Sequence, residues 1–130
     1  MLRIPIALAA LALVAGCSNA CTDTPVSSSP SPDGAFRAVL FQRDCGGAKA
    51  ARSTQVSLTQ DGDRLTGGGD VFRAQDNDGA ARKGSWGGPW AEVEWTGPRQ
   101  LVIRYAAKSR IFEKEHAVQG VEITYQPVTR

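Results

Sequence analysis

From residue 35 to residue 125 the chain runs in short blocks that alternate apolar and polar positions, separated by clusters of Gly, Pro, Asn and Asp. A period of two puts successive side chains on opposite faces of a strand. Ser53–Gln60 turns Val56 and Leu58 to one side, and Ala91–Trp95 turns Glu92 and Glu94 away from its apolar residues. Leu101, Ile103 and Tyr105 share a face, and Val121, Ile123 and Tyr125 repeat the pattern with Glu122 and Thr124 opposite. Phe36, Ala38 and Leu40 on one face and Val39 and Phe41 on the other predict a strand inside a sheet rather than at its edge. A short strand is expected over Asp70–Ala74, after Gly67-Gly68-Gly69. Ser31-Pro32-Asp33-Gly34 and Thr96-Gly97-Pro98 read as turns, since Pro presets φ, Asp bonds nearby backbone and Gly accepts positive φ. Ala106–His116 fits a helix or a charged hairpin arm. Six or seven strands without βαβ spacing predict an all-β, mostly antiparallel fold, a small sandwich or sheet-rich domain.

Two stretches lie outside this pattern. Ile4–Gly16 is an apolar run of 13 residues behind Arg3, too short for the roughly 20 residues of a spanning helix. It reads as a signal helix. Val14-Ala15-Gly16-Cys17 resembles the bacterial lipobox, an aliphatic residue and two small ones before a Cys that becomes the acylated first residue. The resemblance implies lipidation at Cys17 and, with Ser18 rather than Asp following, sorting to the outer membrane of a Gram-negative cell, the domain facing the periplasm. Ser18–Pro32 is Ser/Pro-rich and nearly free of apolar residues, so a disordered, extended tether is expected. The expected organisation is a signal peptide over 1–16, lipidated Cys and tether over 17–32, and a β domain over 33–130.

Composition narrows the chemistry. The formal charge of +2 falls to +1 once residues 1–16 are removed, and no basic cluster offers a footprint for nucleic acid. Three Cys and one His exclude a Cys/His zinc ribbon, and neither a metal nor a cofactor is expected. With Cys17 acylated, Cys21 and Cys45 remain, and two thiols in an oxidising compartment are expected to pair.

Several segments carry candidate chemistry. Asp76-Asn77-Asp78-Gly79 resembles part of a calcium loop, but Ala74 and Ser85 stand where the EF-hand pattern needs ligands. An irregular calcium site from Asp70, Asp76 and Asp78 competes with a plain polar hairpin loop. Gly67-Gly68-Gly69 lacks the Lys-Ser/Thr of a phosphate loop and reads as a bulge or loose turn. His116 is the only imidazole; a hydrolase built on it with Glu113 or Asp78 is the minor alternative, because no Gly-x-Ser-x-Gly elbow is present. Glu92 and Glu94 read as solvent-facing charges. Trp86-Gly87-Gly88-Pro89-Trp90 is the most suggestive segment: Trp86 and Trp90 form an exposed platform for a glycan or a partner protein, or they plug the core beside Trp95.

Ser31-Pro32-Asp33-Gly34, Arg37–Phe41, Arg43-Asp44-Cys45-Gly46 and Ser53-Thr54-Gln55-Val56-Ser57, with the later Val71-Phe72 and Trp95…Leu101-x-Ile103-x-Tyr105, resemble a family of small uncharacterised bacterial lipoproteins and secreted domains. The resemblance covers most of residues 31–125 and departs at Gly47–Ala51. It implies fold and location and carries no activity. The expectation is a non-enzymatic envelope lipoprotein, attached to the membrane through its lipid, whose β domain binds an envelope protein or glycan. An inhibitor or immunity-like lipoprotein that blocks an incoming enzyme is the alternative.

Overall fold

The computed structural model describes residues 21–46, 52–60 and 63–129. The expected signal segment and Cys17 lie outside the described residues. Among the described residues nine strands form two sheets. The first holds β1 (Thr22–Pro30), β2 (Phe36–Asp44), β3 (Arg52–Gln60), β4 (Phe72–Gln75) and β7 (Arg110–Lys114) in the order β1-β2-β3-β4-β7. The second holds β5 (Ala91–Gly97), β6 (Gln100–Ala106), β8 (Ala117–Val118) and β9 (Val121–Val128) in the order β5-β6-β9-β8. The described residues are all-β and mostly antiparallel; β6 and β9 pair in parallel because the chain visits the first sheet as β7 between them.

The faces follow the alternation. Phe36, Ala38 and Leu40 of β2, Val56 and Leu58 of β3, and Phe72 and Ala74 of β4 meet Leu101, Ile103 and Tyr105 of β6 and Val121 and Ile123 of β9 in one buried core. Burial of each of the Val, Leu, Ile and Phe side chains among them contributes about 1.5–3 kcal/mol. Phe72, Tyr105 and Tyr125 cluster at one edge with centroids 5.6 to 6.4 Å apart, and Lys114 Nζ lies over both tyrosine rings. Ala106–His116, open between helix and hairpin arm in the sequence, holds edge strand β7: Ile111 packs on the core, and a bulge opposite Arg73/Ala74 turns Phe112 outward.

The expected tether is corrected by the structure. Thr22–Pro30 is a nine-residue strand paired along β2, so this stretch belongs to the β domain rather than to a disordered tether. A mostly exposed, apolar-poor segment is held here by backbone pairing and cross-links instead of burial. The Cys21–Cys45 disulfide closes the register one step beyond Thr22↔Asp44. At the other end Ser31 and Asp33 form the turn: Ser31 Oγ donates to Asp33 Oδ1 (2.8 Å) and accepts from Phe36 N (3.1 Å). In between, Trp95 Nε1 of the second sheet donates to Ser29 O (2.9 Å). Pro25 and Pro30, which cannot donate to a ladder, are tolerated because β1 is an edge strand.

Candidate functional site

The outer face of the first sheet does not follow the rule that outward positions meet solvent. On β3 the outward row Ser53, Gln55 and Ser57 is only 7–8% exposed, and Val39 and Phe41 beside it on β2 are buried. Part of the cover is the segment before β4. Gly69 N donates to Gln55 Oε1 (2.7 Å), and Arg73 Nε donates back to Gly69 O (2.7 Å). Gly69 has to be glycine: a Cβ there would sit 2.7 Å from Phe72 O and 2.8 Å from Val56 O. The triple-glycine run is thus a close backbone crossing over the sheet. Gln55 Nε2 completes the network by donating to Ser53 Oγ (2.8 Å).

Next to this crossing the same face opens into a cleft of about 730 Å³. Arg43, Ser53 and Gln55 line one side, Arg73 and Gln75 another, with Asp78 and Phe112 also lining it. The register explains the grouping: Arg43 pairs Ser53, Gln55 pairs Arg73, and Gln75 pairs Arg110, so their side chains share a face across four strands. Cys45 and Gly46 close the end beside the disulfide. Arg43 Nε lies 3.8 Å from Asp23 Oδ1, beyond hydrogen-bond range, so the pair is a loose ionic contact. Phe112 stands 57% exposed, the most exposed large apolar side chain among the described residues.

The structure gives Trp86 and Trp90 different surroundings. Trp86 folds back over Gly84, where a Cβ would run into its ring, and packs against the core. Its Nε1 donates to Thr54 Oγ1 (2.8 Å), whose hydroxyl donates to Pro89 O (2.6 Å), and Gln42 Nε2 donates to the Trp86 carbonyl. Trp90 lines a small recess with Glu92 and Arg104 on the second sheet, under the Arg82 guanidinium 5.0 Å from its centroid. Arg104 bridges Glu92 (3.4 Å) and Glu94 (2.7 Å), and the Glu94 hydrogen bond raises its already high pKa.

The remaining candidates are separately engaged. Asp70 Oδ1 accepts from Leu58 N (2.9 Å), and Asp76 pairs with Lys83 (3.2 Å). Among the described residues no three His, Cys, Asp or Glu side chains stand together as a metal site. His116 meets Tyr125 edge-on at 5.5 Å. A hydrogen bond to Glu113, followed by the charge repulsion between the two, raises the Glu115 pKa. Burial raises the Tyr125 pKa, and its hydroxyl donates to Glu115 O (2.6 Å). This cluster fastens the end of β7 to β9.

The alternation that turns Val56 and Leu58 inward leaves Ser53, Gln55 and Ser57 on the opposite face, and that row of uncharged polar residues is the one sequence signal of the cleft, which the alternation alone does not reveal. The fold and its cleft define a disulfide-stapled two-sheet β domain with a polar concavity. Compared with family models, curated proteins and solved structures, the chain finds no match.

Proposed function

We propose that this chain is a non-enzymatic, lipid-anchored binding protein of the bacterial envelope, holding an envelope component in the cleft on its first sheet. The observation that carries the reading is the position of that cleft: it is lined by Cys45, and Cys45 is bonded to Cys21, four residues from the lipobox-like Cys17. The resemblance of residues 31–125 to small bacterial lipoproteins points to the same compartment, and a disulfide suits an oxidising one. Binding rather than catalysis is favoured because His116 meets Tyr125 edge-on and does not line the cleft, with no catalytic hydroxyl hydrogen-bonded to it among the described residues.

The test is to express the full chain and Cys17→Ala in a Gram-negative host, fractionate the cells and weigh the mature N-terminus by mass spectrometry. The reading expects an acylated Cys17 and outer-membrane recovery for the native chain, both lost in the variant. Equal fractionation of the two chains, with no acyl mass, would overturn it.

A further inference from the structure

The cleft offers a particular set of groups. Arg73 commits Nε to Gly69 O, which fixes the guanidinium plane, and its two Nη nitrogens form no hydrogen bond with a described residue. The Gln75 amide and the Asp78 carboxylate are likewise uncommitted among the described residues. Phe112 adds a flat, exposed apolar ring, placed there by the β7 bulge.

These groups discriminate between ligand classes. An apolar ligand would strip water from a guanidinium, an amide and a carboxylate without replacing their hydrogen bonds, which costs several kcal/mol. A phosphate would meet Asp78, and Glu113 stands opposite Arg73 in the register, so the cleft is not a dedicated anion hole. A sugar satisfies all four groups at once. Paired hydroxyls accept from a planar guanidinium fork and exchange hydrogen bonds with an amide and a carboxylate. The C–H face of the ring is apolar and lies flat on an aromatic side chain. The volume of about 730 Å³ falls within the range of small-ligand sites and has room for more than one sugar unit.

We infer that the cleft binds a saccharide, with Phe112 stacked on the apolar face of a sugar ring and Arg73, Gln75 and Asp78 holding its hydroxyls. The source of that sugar rests on the envelope reading above: in an envelope, saccharide is presented as wall glycan or as the sugar of a glycolipid.

The experiment is calorimetric titration of the full chain in detergent micelles with two probes, a soluble disaccharide-peptide fragment of the wall and a deacylated lipopolysaccharide core oligosaccharide. At least one is expected to bind with a Kd between about 1 μM and 1 mM. Phe112→Ala and Gln75→Ala should each weaken that binding about tenfold while leaving the melting temperature unchanged, since both side chains stand outside the core. Trp90→Ala, on the other sheet, should leave the affinity intact. Binding of one probe alone names the source. Failure of both probes at about 10 mM, or native affinity in both cleft variants, would falsify the inference. The titration involves no membrane, so a failed anchor at Cys17 and an empty cleft give separate results.

Discussion

Thr54 faces the core from β3 without an exposed atom to bond to water, and its hydroxyl is used twice. It accepts from the Trp86 indole and donates to Pro89 O, so one side chain ties the Trp86 loop to the first sheet. Thr54→Val keeps the shape and removes both partners. It should cost about 1–3 kcal/mol, because a half-buried N–H and a carbonyl lose their bonds together, and the urea midpoint reads this directly. Asp33 gives the pH counterpart. Its hydrogen bond from Ser31, then those from Ala35 N and Arg99, hold its carboxyl below the usual aspartate range. A depressed folded pKa means the stabilisation is complete above the unfolded value and is lost as pH falls through the folded one. Native protein should therefore lose stability below about pH 4 by a component that Asp33→Asn lacks, visible when acid unfolding of the two is overlaid. Only the second of these features is legible in the sequence: Ser31-Pro32-Asp33-Gly34 announces its turn chemistry. The bond between Thr54 and Trp86 was not legible, because it joins residues 32 apart that no periodicity relates.

At the scale of elements, the strands legible in the sequence are those that bury apolar residues on alternate positions, and β2, β3, β5, β6 and β9 all do. What alternation misses is structure held by other forces. β1 contains Ser-Ser-Ser-Pro and reads as a spacer, yet backbone pairing to β2 and the disulfide give it a fixed register. β7 is short, charged and bulged, and only its Ile111 reports the core. The same blindness hid the cleft, since a polar residue facing out of a strand looks identical in sequence whether it meets water or another loop. A prediction separates the forces on β1. Cross-linking Cys21 to Cys45, 24 positions apart, restricts the unfolded chain by about 3 kcal/mol. Cys21→Ser with Cys45→Ser should lower the unfolding free energy by about that amount. It should also speed hydrogen exchange across Thr22–Pro30 before the rest of the first sheet opens. Uniform exchange across all strands would show instead that β1 is an inseparable part of the core.

For the molecule as a whole, the order of β1 changes how an anchor at Cys17 would hold the domain. A tether running to Pro32 would let the body drift far from the bilayer. With Cys21 bonded into the first sheet, only Ser18, Asn19 and Ala20 separate it from Cys17. Four residue steps span at most about 14 Å. The domain would then ride at the level of the lipid headgroups, with the Cys45 end of the cleft turned to the anchor side. That geometry favours a ligand presented at the membrane surface over one deep in the periplasm, and it can be measured. A dye on Asp78→Cys, at the cleft, should transfer energy efficiently to an acceptor on the headgroups of vesicles carrying the acylated chain. Ten Gly/Ser residues inserted after Ala20 add up to about 35 Å of reach and should lower that transfer while leaving the melting temperature unchanged. Equal transfer with and without the insert would mean that the domain is held at the surface by its own contacts with lipid, and that the short distance from Cys17 to Cys21 does not set its height.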